Sequence, residues 1–130
     1  MSARLALATK TEEVEVFASA ARIITANSAD IKTPALAKGI RLHLDVTVVT
    51  GTSPTLDIKL QAKVNGIYID IPSAVFTQKT VAVTDDLTLY PGIAETVNEA
   101  VSDVLPYIWR AVATIAGTTP SFTFSLKGSA

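Results

Sequence analysis

The stretch Gly39-Ile-Arg-Leu-His-Leu-Asp-Val-Thr-Val-Val49 decides the fold class of this chain of 130 residues. Apolar side chains occupy every even position from 40 to 48, and polar side chains occupy the odd positions between them. A period of two residues predicts a β-strand with one buried and one solvent-facing side, as in an antiparallel sheet. Residues 55–64 repeat this alternation after the turn-forming residues Thr50–Pro54.

These two strands are predicted to fold back on each other as a hairpin across Thr50–Pro54. That register buries the apolar faces of both strands together. On the solvent face it sets Asp45 opposite Lys59, which is a favourable cross-strand charge pair. Both faces therefore support the same pairing.

Asn65-Gly66 predicts a second, tighter hairpin, because both central residues of a type I′ turn need positive φ. In this hairpin Lys63 comes beside Tyr68, and the returning strand Ile67–Ile71 ends at a proline, Pro72, which cannot donate to a ladder. Three further short strands are predicted at Ala74–Phe76, Thr80–Val83 and Leu87–Tyr90. Turns separate them, and the turn before the third strand contains Thr84, Asp85 and Asp86.

The C-terminal part of the chain predicts a closing hairpin. The strands Tyr107–Ala116 and Ser121–Lys127 pair across Gly117–Pro120, and Trp109 lies at the base of the hairpin as a core residue. The preceding stretch Ile93–Leu105 fits an irregular loop or a short helix, and the loop is favoured because Thr, Val and Asn are weak helix formers.

These elements predict an all-β chain, a single-domain antiparallel β-sandwich of the jelly-roll type with seven to nine strands and at most one short helix. The sandwich covers residues 13–130, and no internal repeat is evident. Residues 1–12 read as an N-terminal arm carrying two apolar residues, Leu5 and Leu7, in a background of small residues. Either a flexible terminus or a segment that orders on a neighbouring subunit fits this arm.

Composition narrows the classes of function. Lys plus Arg total 11 and Asp plus Glu total 12, which gives a net charge of −1 and argues against nucleic-acid and anionic-membrane partners. The absence of cysteine excludes disulfides and thiolate metal sites. No apolar stretch approaches the roughly 20 residues of a membrane-spanning helix. We therefore expect no cofactor and no metal, in a protein made in the cytoplasm.

Few residues offer catalytic chemistry. The only histidine, His43, is predicted on the solvent face opposite Gln61 with no carboxylate across from it, whereas a catalytic histidine needs an orienting acceptor. Asp85 and Asp86 are adjacent in a predicted turn, where aspartate commonly caps the loop. We expect no catalytic residue, and hence no enzyme.

The predicted exterior is sparsely charged. Charged residues make up 18% of the chain, below the roughly 25% of an average soluble domain. Such a surface suits burial between subunits, since interface cores are depleted in charge. The candidate partner-contact residues lie in the arm, at the first strand and at two exposed aromatics: Leu5, Leu7, Val14, Val16, Tyr68 and Tyr90.

Several separate motifs over the last 110 residues or so resemble a family of small structural proteins from tailed bacteriophages. The motifs are Phe17–Arg22, Lys38–Thr47, Val49–Thr52, Pro54–Asp57, Leu89–Gly92, Val101–Pro106, Trp109-Arg110 and Gly117–Phe124. The resemblance implies a virion protein of the head region, a capsid decoration (cement) protein on the capsid surface. Its implied partners are the major capsid protein and copies of itself, with a trimer suited to three-fold sites. It implies no catalytic residue.

A second hypothesis is a tail or baseplate module that binds host carbohydrate. Such a module needs exposed aromatics flanked by amides or carboxylates. Tyr68 with Gln61 and Asp70 fits that description.

Overall fold

The computed structural model describes residues 13–33 and 37–130. Within them the chain is all-β, with eight strands and no helix. The strands are β1 (Glu13–Arg22), β2 (Ala26–Asn27), β3 (Ile31–Lys32), β4 (Ile40–Val64), β5 (Ile67–Val75), β6 (Val83–Leu89), β7 (Ala100–Val101) and β8 (Ile108–Ser129). They form one sheet in the order β1-β8-β4-β6-β7, with β2 and β3 paired to β8 and β5 paired to β4. The prediction of an all-β single domain is confirmed, and residues 93–105 contain no helix.

The centre of the sheet is the antiparallel pair β4 and β8. Their register runs from Arg41 beside Ser129 to Ala62 beside Trp109, so the two strands pair along nearly their whole length. The predicted hairpins across residues 50–54 and 117–120 are therefore wrong. At both places the chain bends and continues, because turn-forming residues mark a break in a straight strand but do not fix the direction that follows.

The partners expected from those hairpins lie apart. Asp45 is beside Ser125 and Lys59 is beside Val112, so the expected charge pair between Asp45 and Lys59 does not form. Lys59 instead binds Asp70, with 3.1 Å between Nζ and Oδ2. Each half of β4 is paired with β8 rather than with its other half.

The two bends, which we call the corners, have closely similar sequences: Gly51-Thr-Ser-Pro54 and Gly117-Thr-Thr-Pro120. The glycines have φ of 113° and 122°, and the third residues, Ser53 and Thr119, have φ of 49° and 46°. Thr52 pairs with Thr118 at the centre of the ladder. A four-residue motif thus recurs and pairs with its own copy, although the sequence analysis found no repeat.

The sheet folds at the corners so that its two halves enclose one core. Apolar residues from both halves of β4 and β8 belong to a single buried cluster. The largest fully buried members include Leu42, Leu44, Leu56, Ile58, Leu60, Trp109, Phe122, Phe124 and Leu126. Opposite the corners the two halves meet again, where the Leu105 N–H donates to the Lys38 carbonyl at 3.3 Å. We call this side the open end.

The hairpin at Asn65-Gly66 is confirmed. Its φ values are 49° and 81°, and Val64 pairs with Ile67 as predicted. Pro72 does not end the returning strand, which continues to the end of β5. Pro72 lies at a bulge where the β4–β5 register shifts. Proline is tolerated there because a bulge position need not donate an N–H to the neighbouring strand.

The predicted turn at residues 84–86 is wrong, because these residues lie inside β6. Asp86 is opposite His43 in the β4–β6 ladder. The carboxylate of Asp85 forms an ion pair with Lys79, a buried residue that also bridges to the other half of β4. Each carboxylate therefore has a cationic or imidazole partner, which explains how two adjacent acids are accommodated in a strand.

Candidate functional site

The outer face of the layer formed by β4, β5 and β8 carries a continuous polar network. Alternate residues of β4 and of β5 point to the same side of a strand, so these side chains meet on one face. The members of this Tyr68 network are Asp30, Lys59, Gln61, Lys63, Tyr68, Asp70 and Arg110.

Tyr68 is held on its hydroxyl and on its ring. The hydroxyl donates to Asp30 Oδ1 at 2.7 Å, and Lys63 Nζ donates to the other carboxylate oxygen at 2.9 Å. The guanidinium of Arg110 lies over the ring, with Cζ 3.5 Å from the centroid. Such cation–π stacking is attractive and fixes the orientation of both groups.

Gln61 connects the tyrosine to the second carboxylate. Arg110 Nε donates to Gln61 Oε1 at 2.9 Å, and Gln61 Nε2 donates to Asp70 Oδ1 at 2.8 Å. Lys59 donates to the remaining oxygen of Asp70. Both ends of the amide are therefore satisfied within the network.

The hydrogen bonds of the Tyr68 network move the pKa values of three of its charged groups further from neutral pH. Hydrogen bonds from Lys63 and then Tyr68 lower the pKa of Asp30. Hydrogen bonds from Gln61 and then Lys59 lower the pKa of Asp70. The hydrogen bond to Asp30 raises the pKa of Lys63. A general acid or base works best with a pKa near the working pH, so this arrangement provides fixed charges rather than proton transfer.

His43 lies in a second polar cluster on the outer face of the other layer. Its Nδ1 donates to Asp86 Oδ1 at 2.7 Å, and Arg41 reaches Asp86 Oδ2 at 3.3 Å. The expectation that no carboxylate lies across from His43 is wrong, because β6 rather than the second half of β4 is its neighbour. The hydrogen bond from His43 lowers the pKa of Asp86.

This cluster borders a shallow groove between β1, β8, β4 and β6. Charged side chains of both signs line it, including Glu13, Glu15 and Lys127. Among residues 13–33 and 37–130, no hydroxyl is hydrogen-bonded to His43, and no three potential metal ligands gather. The described part of the chain thus places an Asp–His pair on the surface without a nucleophile beside it.

The open end carries an exposed apolar surface. Its side chains come from the hairpin of β4 and β5 and from the loop before β8: Val64, Ile67, Ile69, Val104 and Tyr107. Beside them lies a groove of about 310 Å³, the open-end groove, lined by Ala62, Val64, Ile69, Asp70, Ile71, Pro72, Asp103, Val104 and Pro106. The groove is apolar along its length, with two carboxylates among its lining residues.

The two candidate contact residues predicted at the first strand do not form an exposed surface. Val16 is only 7% exposed and belongs to the core, and Val14 is half-buried against it. Val16 is therefore unavailable to a partner, because its side chain faces inward in β1. Leu5 and Leu7 lie outside the described residues.

The two predicted aromatics have different surroundings. Tyr90 is exposed near the end of β6, whereas Tyr68 is half-buried within its network. The hairpin register already placed Lys63 beside Tyr68, but Asp30 and Arg110 were missed. They arrive from distant parts of the chain, so no local pattern could have indicated them.

No helix in the described ranges is long and apolar enough to cross a membrane. Comparison with known proteins finds no matching family model, no matching curated protein and no matching solved structure.

Proposed function

We propose that this chain is a structural protein of a tailed-bacteriophage virion, most specifically a capsid decoration protein that binds the outer surface of the head and stabilises it. The observation that carries the proposal is the exposed apolar surface at the open end, with Ile67 64% and Val104 61% exposed. Contiguous exposed apolar side chains on a soluble domain mark a contact surface. The motif resemblance supplies the class of partner.

The architecture supports a mechanical role. β4 and β8 pass through both layers and stay hydrogen-bonded across the corners, so the two layers share one ladder. A rigid body of this kind bridges neighbouring shell subunits without deforming. Many copies on one shell make weak individual contacts additive through multivalency.

Carbohydrate binding is the less supported function. A sugar ring stacks on an open aromatic face, whereas Arg110 covers a face of Tyr68 at 3.5 Å. Gln61 and Asp70 are already hydrogen-bonded to each other. A sugar would have to displace these contacts before it could bind.

Electron microscopy of virions with and without this protein tests the proposal. We expect density for the domain on the outside of the capsid shell. Density in the tail or baseplate would contradict the proposal. Reproducible binding on a glycan array that is lost in Tyr68→Ala would also contradict it and favour the carbohydrate module.

Point variants test the surface that carries the argument. Heads that lack the protein are incubated with the purified wild-type chain, with Ile67→Asp or with Val97→Glu. Ile67→Asp places a charge on the open-end surface, and we expect at least a tenfold loss of head binding. Val97→Glu is the matched control, because Val97 is 85% exposed and lies outside that surface. Equal binding by both variants would remove the support that this surface gives.

A further inference from the structure

We propose that β5 of one copy pairs with β5 of a second copy, antiparallel and edge to edge, with a two-fold axis at Ile69. The contact makes a second copy of this chain a partner of the open-end surface, so it deepens the proposed function and rests on it. Three observations carry it: the outward main-chain groups of β5, the irregularity of the other sheet edges, and a side-chain sequence that is complementary to itself.

The main-chain groups on the outer edge of β5 are available for pairing. Among the described residues β5 pairs only with β4. In a hairpin with a two-residue turn, the pair that closes the turn, Val64 and Ile67, exchanges both of its hydrogen bonds. The pattern then alternates, so the N–H and carbonyl groups of Tyr68 and Asp70 point away from β4. Such outward groups are a template for an added strand.

The other edges formed by the described strands are bulged, short or partly covered. β1 has two register shifts, and bulges of this kind disrupt a ladder and turn an edge away from further pairing. β2, β3 and β7 are each two residues long. The outer edge of β6 is partly covered by β7 and carries the adjacent Asp85 and Asp86, and charged residues protect an edge from pairing. Residues 67–70 of β5, by contrast, run beside β4 without a register shift.

The sequence of residues 67–71 is Ile-Tyr-Ile-Asp-Ile, which is nearly symmetric about its centre. With the two-fold axis at Ile69, Tyr68 of each copy is opposite Asp70 of the other. These are the residues with outward main-chain groups, so each such pair exchanges two main-chain hydrogen bonds. Ile69 meets its own copy, and Ile67 is opposite Ile71. Apolar side chains therefore face apolar side chains, and each carboxylate faces a tyrosine.

Charge and proline select this register over its neighbours. An axis at Asp70 would set two carboxylates opposite each other and would bring Pro72, which has no N–H, opposite Tyr68. An axis at Tyr68 would replace one ladder partner by the turn residue Gly66. An axis between two residues would set outward groups opposite groups that already bind β4. At Ile69 none of these conflicts arises.

The pairing joins the open-end surfaces of the two copies. Ile67 is 64% and Ile69 51% exposed in one copy, and Ile69 also lines the open-end groove. Residues directly opposite each other in a ladder point to the same face, so these side chains from both copies lie on one side of the joined sheet. The dimer therefore presents two open-end surfaces to the shell as a single bivalent surface, which strengthens weak contacts through multivalency.

Solution mass tests the pairing on the full chain, by native mass spectrometry and analytical ultracentrifugation. We expect a dimer, twice the 13.7 kDa of one chain, for the wild type and for the control Val97→Glu. Ile69→Lys and Ile69→Glu each bring two like charges together at the axis, so each variant should be monomeric. An equal mixture of these two variants sets a lysine opposite a glutamate and should recover the dimer. Fluorescence of the buried Trp109 verifies that each variant is folded.

Cross-linking tests the position of the axis, because the chain has no cysteine of its own. A residue on the axis lies opposite its copy in a non-hydrogen-bonded pair, with about 4.5 Å between the Cα atoms, which suits a disulfide. Ile69→Cys should therefore form a disulfide-linked homodimer on oxidation. Ile67→Cys is the matched control, since it lies on the same face of the strand and is more exposed but is opposite Ile71 of the other copy. We expect at least tenfold more homodimer from Ile69→Cys.

A wild-type chain that stays monomeric or forms a trimer would overturn the inference. Equal disulfide yields from Ile69→Cys and Ile67→Cys, or no dimer in the mixture of the two charge variants, would also overturn it. The proposed function fails separately, on the position of the protein in the virion. A dimer whose density lies in the tail contradicts that function and leaves the pairing intact, whereas capsid density from a chain that is monomeric in solution contradicts the pairing alone.

Discussion

Gly51 and Gly117 each lie against the backbone of the other's corner. A Cβ on Gly51 would be 2.7 Å from the carbonyl oxygen of Thr119, and a Cβ on Gly117 would be 2.8 Å from the carbonyl oxygen of Ser53. The contact is reciprocal, so the two bends form one interlocked structure at the point where the sheet folds. The absence of a side chain at both positions is what allows the layers to meet.

Alanine at either corner glycine should destabilise the domain. Gly51→Ala or Gly117→Ala combines a positive φ with a backbone clash, and we expect each to lower the free energy of unfolding by about 3 kcal/mol. Urea unfolding followed by the fluorescence of Trp109, the only tryptophan, measures this. Gly66→Ala is the matched control, since its φ is 81° but no atom lies within 4 Å of the added Cβ. An equal loss in all three variants would show that the interlock contributes nothing.

Acid should weaken the fold through the paired carboxylates. The pKa values of Asp30, Asp70 and Asp86 lie below the ordinary 3.8, so the unfolded chain binds more protons as the pH falls. Their stabilisation is complete above that value and is lost as the pH falls through the lower folded pKa values. The urea midpoint should therefore stay level from pH 7 to about pH 5 and decline below about pH 4.

The same experiment on variants identifies the source of the decline. Asp30→Asn/Asp70→Asn should flatten the fall in the urea midpoint below pH 4, because both carboxylates that bind the Tyr68 network are gone. Asp45→Asn is the control, since Asp45 lies between Thr84 and Ser125 in the sheet and takes part in none of the ion pairs among the described residues. A decline of unchanged steepness in the double variant would contradict the assignment.

The Lys79–Asp85 ion pair should stabilise the contact between the two halves of the sheet. Lys79 is buried and bridges to Leu56 in one half of β4, while Asp85 pairs with Leu44 in the other half. Asp85→Asn leaves the ammonium without its charged partner, and we expect a loss of about 2 kcal/mol. A double-mutant cycle with Lys79→Met measures the coupling, and purely additive losses would show that the pair is energetically silent.

Arg22 should hold the irregular part of β1. Its guanidinium donates to the carbonyls of Ala18 and Phe124 at 2.9 and 3.2 Å, and it lies over the rings of Phe17 and Phe124. Arg22→Ala leaves those carbonyls without a charged donor, so we expect a loss of about 2 kcal/mol and faster amide exchange in β1. Arg22→Lys keeps the positive charge but lacks the planar guanidinium, so its free energy of unfolding should lie between those of the wild type and Arg22→Ala. Unchanged exchange in Arg22→Ala would contradict this role.

Two local signals predicted the local structure correctly, whereas the predicted turn at residues 84–86 is a strand. The alternation in Gly39–Val49 and the turn at Asn65-Gly66 depend only on neighbouring residues, and both are confirmed. The corners were predicted as hairpin turns because Gly-Thr-Ser-Pro is typical both of a hairpin turn and of a bend after which the strand continues. Only the partner strand decides between them, and it lies dozens of residues away.

The candidate sites were likewise predictable only where they depend on neighbouring residues. The predicted hairpin register placed Lys63 beside Tyr68, and the fold confirms that pair. Arg110 belongs to β8, and its place beside Gln61 depends on the long β4–β8 ladder, which the expected hairpins replaced. The Asp86 partner of His43 was missed for the same reason.

The end-to-end ladder of β4 and β8 also constrains how the chain is made. β4 remains without its principal partner until Ile108–Ser129 has left the ribosome, so the edge of β4 that faces β8 stays unpaired while β5 and β6 can already pair with the other edge. Such distant pairing makes folding slow, because a long loop must close before any contact compensates for the lost entropy. The nascent chain therefore passes through a stage that is prone to aggregation, and completion of the sheet depends on β8, which follows the other described strands along the chain.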